Sequence, residues 1–140
     1  MSWTVKHNPL LGIIEVTLSG LHTGREQRDS VTKRISVEKE TGTTRTLVDA
    51  SEVEEFPSVS QVIDLPSRLY PELGANRTSH IAFVLPVSEA ARESVQFLET
   101  ACVNRGWNLK TFPDRKSALD WLTDNTASKK LDAGDSQSRT

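Results

Sequence analysis

His80-Ile81-Ala82-Phe83-Val84-Leu85 decides the fold. Its side chains are apolar on both faces, the pattern of a central strand with helices above and below it. Downstream, Ser88 can cap a helix whose buried stripe is Ala91, Val95, Leu98 and Cys102, flanked by Phe97 and Ala101. Gly106 ends that helix. Trp107 to Phe112 then reads as a strand, with Trp107 and Leu109 on one side, and Asp114 caps a last short helix carrying Ala118, Leu119, Trp121 and Leu122.

Upstream, Ser58-Val59-Ser60-Gln61 has the form of a capping box, and Val59, Val62, Ile63, Pro66, Leu69, Tyr70 and Leu73 follow at helical spacing. Pro66 lacks the amide donor that a helix needs, so the helix is expected to end at Leu65 or kink there. Thr44 to Ala50 is a strand whose neighbours Leu47 and Val48 point to opposite faces, and a loop from Ser51 to Pro57 follows it. Thr23-Gly24-Arg25-Glu26 opens an earlier helix that runs to about Thr41 and stops at Gly42. That helix has few apolar residues, chiefly Val31 and Ile35, and should be largely wet. At the start, Trp3, Val5 and His7 alternate with polar residues until Asn8-Pro9. Ile14, Val16 and Leu18 then face one way while Glu15 and Thr17 face the other.

The order β-β-α-β-α-β-α-β-α implies one α/β domain with five strands and four helices. The sheet is mostly parallel with right-handed crossovers, and the first strand is antiparallel. The domain is expected over residues 1–125. Residues 126–140, poor in apolar side chains, are expected to be a disordered tail.

The chain has 140 residues, with 17 basic and 19 acidic side chains and a formal net charge of -2. That balance, with no basic run interleaved with aromatics, argues against nucleic-acid binding. The apolar stretches are too short for a transmembrane segment, and Met1 to Asn8 lacks the apolar core of a secretory signal. Cys102 is the single cysteine, which suits a reducing, cytoplasmic setting. Three histidines without metal-ligand spacing and the absence of a nucleophile elbow or phosphate loop leave catalysis, metals and cofactors without residues to rest on.

Several segments together resemble the SpoIIAA-like group of STAS/SEC14-type bacterial domains. They are Trp3, Ile14-Glu15-Val16-Thr17-Leu18-Ser19-Gly20, Thr46-Leu47-Val48-Asp49-Ala50, Ile81-Ala82-Phe83-Val84 and the ending Phe112-Pro113-Asp114-Arg115-Lys116-Ser117-Ala118-Leu119-Asp120-Trp121-Leu122. The resemblance covers about residues 2–123. It implies a four-unit βα superhelix and a non-enzymatic regulatory or protein-interaction role. The alternative it implies is a carrier or sensor of a lipid or small apolar ligand, as in SEC14-type domains. In anti-sigma factor antagonists of this fold a phosphorylatable serine opens the helix after the second parallel strand, in an Asp-Ser-Ser/Thr-Gly setting. The matching stretch is Phe56-Pro57-Ser58-Val59-Ser60, with the aspartate and glycine replaced.

Ser58 is therefore a candidate phosphoacceptor or, more simply, an ordinary helix N-cap completed by Gln61. Asp49 and Ser51 lie at the carboxyl end of a parallel strand, where open α/β sheets place ligands. Glu52, Glu54 and Glu55 beside them read as a solvated acidic loop. Pro66, Leu69, Tyr70 and Leu73 form an apolar set around the expected kink and are the candidate surface for a protein partner, a small apolar ligand or a homodimer contact. Trp107 and Trp121 read as core.

Overall fold

The computed structural model describes residues 2–123; the expected tail at 126–140 and the domain end at 125 lie outside them. Five strands, β1 (Trp3–Asn8), β2 (Ile13–Leu21), β3 (Arg45–Glu55), β4 (His80–Val84) and β5 (Asn108–Phe112), form one sheet in sequence order. β1 is antiparallel to β2, and every other pairing is parallel. Four helices connect or follow them: α1 (Gly24–Thr41), α2 (residues 59–72), α3 (Glu89–Asn104) and α4 (residues 115–123). None of them is long and apolar enough to cross a membrane.

Right-handed crossovers that always step in the same direction across a sheet place every crossing helix on one face. Accordingly Val31 and Ile35 of α1, Val62, Leu65 and Tyr70 of α2, and Val95 and Leu98 of α3 share one core with Val16, Val48, Ile81 and Phe83. Among the described residues the opposite face has α4 alone. Ala118 and Leu122 there cover Ile13, Leu47, Ala82, Val84 and Phe112. β4 is thus apolar on both faces because both are covered, whereas Glu15 and Thr17 of β2 lie on the side that α4 leaves open.

Local chemistry sets the helix ends. In the capping box of α1, Glu26 N donates to Thr23 Oγ1 (3.1 Å) and Thr23 N donates to Glu26 Oε1 (3.0 Å). Gly42 ends α1 with φ 71°, its amide donating to Glu38 O at 2.8 Å. Asp114 caps α4 by accepting from Ser117 N at 2.8 Å.

Three expectations change. The strand β3 does not stop at Ala50 but runs on to Glu55, because β2 extends to Leu21 and pairs it: Ser19 with Glu52, Gly20 with Val53 and Leu21 with Glu55. α1 is less wet than its composition suggests, since Gln27, Ser30, Arg34 and Glu38 turn inward with Val31 and Ile35.

Pro66 neither ends nor breaks α2. The helix passes it as a π-turn, Leu65–Leu69, in which the Tyr70 amide donates to Leu65 O instead of Pro66 O. The residue five positions beyond Pro66 is Pro71, which has no amide to offer. The Pro66 carbonyl therefore has no donor from its own helix. The buried Trp107 Nε1–H donates to it at 3.2 Å, and the Tyr70 ring meets the indole edge-on at 5.2 Å between centroids.

Trp107 is thus a core residue with a specific polar task. Trp107→Phe retains an aromatic ring but removes the donor, leaving a buried carbonyl unpaired. The expected loss is about 1–3 kcal/mol, against about 3–5 kcal/mol for Trp107→Ala. Urea unfolding followed by far-ultraviolet circular dichroism checks both; a Trp107→Phe chain as stable as the parent would refute the role of the hydrogen bond.

Candidate functional site

The carboxyl end of the parallel strands gathers several of the candidate residues. Thr17 pairs with Asp49 and Ser19 with Glu52, so Ala50 and Ser51 together oppose Leu18 and form a β-bulge. The Asp49 carboxylate accepts from Ser51 N at 3.0 Å and from Ser51 Oγ at 2.7 Å. Asp49 and Ser51 therefore come together, and their chemistry is spent on holding the bulge. The neighbouring carboxylates do not converge: Glu52, Glu54 and Glu55 are exposed along the end of β3, separated by buried Val53.

Ser58 is exposed at the start of α2. Its amide donates to Gln61 Oε1 at 3.1 Å, and its hydroxyl lies 3.3 Å from the same oxygen and 3.2 Å from Ser60 Oγ. The starts of α1 and α2 lie side by side. A Cβ on Gly24 would come within 2.7 Å of Gln61 Nε2, so only glycine fits at that contact without displacing the amide. Arg28 lines the same narrow cleft with Pro57 and Gln61. Exposed apolar side chains mark this end of the molecule too. Leu21 pairs with Glu55, Val59 opens α2, and the Val87 amide reaches Ser51 O; they are 61%, 47% and 79% exposed.

Pro66, Leu69, Tyr70 and Leu73 do not form a surface. The first three are buried in the core and Leu73 is half-buried, because the π-turn rotates them toward α3 and Trp107. The space that Tyr70 lines between α1 and the sheet is about 10 Å³, room for about one water. Trp121 is half-buried, packed between His80 (5.3 Å between centroids) and Phe112 (5.6 Å).

A row of buried polar groups was not singled out by the sequence. His22, only 2% exposed, stacks on Phe56 at 5.9 Å, and its Nε2 lies 2.7 Å from Gln27 Oε1. Further along α1, Ser30 Oγ donates to Gln27 O, and Arg34 pairs with Glu38 at 3.2 Å while its guanidinium lies over the Tyr70 ring. Burial holds His22 below its ordinary value and raises the Glu38 carboxyl despite Arg34. It also pushes the Cys102 thiol up to about 12, so that thiol stays protonated and inert. The clue in the sequence was positional: Gln27, Arg34 and Glu38 complete the helical stripe begun by Val31 and Ile35.

This architecture, a sequence-ordered α/β sheet with one antiparallel edge strand and four helices, is the STAS-like fold that the sequence resemblance implied. Among solved structures the chain is similar to SLC26A9, at a TM-score of 0.50 and 12% sequence identity, spanning 86% of this chain and 21% of that one. At that identity the likeness is one of fold alone. No family model matches the chain, and no curated protein matches it.

The buried histidine gives a pH test with a definite sign. His22 is held below 6.5 in the folded chain, so below about pH 6.5 the unfolded chain binds a proton that the core refuses. Its contribution to stability is present above the unfolded value and is lost as pH falls through it. Glu38 works oppositely, since a raised carboxyl favours the fold at low pH and loses that contribution as pH rises. The unfolding free energy measured between about pH 7.5 and about pH 5.5 should fall less steeply in His22→Gln than in the parent. Equal slopes would mean that His22 is not buried as described.

Proposed function

We propose that this chain is a non-enzymatic regulatory or protein-interaction module of the STAS type, acting in the cytoplasm. The carboxyl end of its sheet is the docking face, and phosphorylation of Ser58 is the switch. The observation that carries the reading is the exposed Ser58 hydroxyl at the entry of α2, on the same end as the exposed Leu21, Val59 and Val87. A phosphate there would meet the positive end of α2 and have Arg28 in the adjoining cleft. It would also add about two negative charges beside Leu21, Val59 and Val87 on a face that already carries Glu52, Glu54 and Glu55, and so weaken a partner seated there. Asp49, tied to Ser51, supports the bulge that shapes this end.

Carriage of a lipid or small apolar molecule has less support. A site for such a ligand usually encloses about 300–1,000 Å³; the space between α1 and the sheet is about 10 Å³, and the larger hollows, about 480 Å³ beside Trp107 and Trp121 and about 420 Å³ beside β1, are open grooves that do not enclose a ligand.

Phosphopeptide mass spectrometry of the chain from its native cell, with pull-downs of the parent, Ser58→Ala and Ser58→Asp, tests the reading. The expected result is phosphate on Ser58 and a partner held by the parent and Ser58→Ala. Ser58→Asp should hold it at least about tenfold more weakly. Ser58→Ala should cost about 0.5–1 kcal/mol of stability, small enough to keep the fold. An unmodified Ser58 with no partner retained would remove the proposal.

A further inference from the structure

The two edges of the sheet are finished differently. On β5 the Thr111 amide donates to Glu99 Oε2 at 3.1 Å, and the Thr111 hydroxyl donates to Glu99 Oε1 at 2.8 Å. α3 thus lays a carboxylate along that edge, occupying a donor that another strand would need.

β1 has no such cover. Ser19 N donates to Ser2 O at 2.8 Å, which fixes the alternation along the strand. Thr4, Lys6 and Asn8 turn their main-chain groups toward β2, while Trp3, Val5 and His7 turn theirs outward. Among the described residues nothing pairs with those outward N–H and C=O groups.

We propose that two copies of this chain associate through β1, antiparallel about a two-fold axis at Val5, joining their sheets edge to edge. The strand is self-complementary in this one register. Val5 faces the second copy's Val5, and Trp3 faces its His7, so every outward group on both strands finds a partner. A slip of two residues in one direction leaves Trp3 unpaired and sets Lys6 directly against Lys6, which is unfavourable. A slip in the other direction leaves His7 unpaired. In the favoured register Lys6 faces Thr4 instead. A two-fold contact of this kind closes on itself, so the assembly stops at two.

The full chain in size-exclusion chromatography with light scattering, at about 100 µM, should show twice the 15.5 kDa chain mass. Val5→Pro removes the central outward donor without touching the β1–β2 ladder, and should weaken the dimer at least about tenfold. The double variant Thr4→Cys with Lys6→Cys retains every outward amide. It sets two cysteine pairs across a closely spaced non-hydrogen-bonded position, about 4.5 Å between Cα atoms. Under mild oxidation it should give a covalent dimer on a denaturing gel, and Thr4→Cys alone should not. A monomeric parent, as expected if residues 124–140 or an unrelated strand occupied the edge, would overturn the proposal. So would equal cross-linking in the single and double variants.

Discussion

A right-handed crossover between parallel strands is the constraint on which the rest of this structure depends. Because β2 to β5 follow one another in the sheet without reversal, α1, α2 and α3 have only one face to occupy. The other face must be either polar or covered by something else. Both solutions are used. Ile13, Leu47, Ala82, Val84 and Phe112 lie under α4, while Thr4, Lys6, Glu15 and Thr17 lie beside it and are polar, Glu15 pairing with Arg115 at its start.

Inside the helical layer, the lost helix donors at Pro66 and Pro71 are made good from elsewhere. The Leu65 amide takes Val62 O, the carbonyl that Pro66 leaves without its donor, and the Trp107 indole supplies to Pro66 O the donor that Pro71 lacks. With Pro66, Leu69 and Tyr70 turned into the core, α2 is accessible at its Ser58 end and along Ser67, Arg68 and Glu72. The buried polar row on α1 follows similar logic. Each of His22, Gln27, Ser30, Arg34 and Glu38 has a hydrogen-bonding neighbour, which makes their burial tolerable.

Much of this was legible in the sequence. The continuous apolar run at Ile81–Val84 and the alternation at Ile14–Leu18 gave the covered and the half-covered strand, and both capping boxes marked true helix starts. What escaped was non-local. Nothing near Ser51 announces that β3 continues, since its pairing comes from β2 some thirty residues earlier. Nothing near Pro66 announces an indole supplied by Trp107. The inward turn of Arg34 and Glu38 depends on each having the other one helical turn away, and composition alone reads them as solvent-facing. At the candidate site, Ser58 was visible as a helix cap. The burial of Leu69 and Tyr70 was not, because it follows from the π-turn.

The ion pair between Arg115 of α4 and Glu15 of β2, at 2.8 Å, spans almost the whole described chain. It marks how late the second face of the sheet is closed. During vectorial synthesis the column from Ile13 to Val84 emerges long before Ala118 and Leu122 exist to shield it. A nascent chain halted before α4 would carry a finished helical layer on one side and bare aliphatic side chains on the other. For this protein, a helix synthesised after the whole sheet is the one that makes the sheet compatible with water.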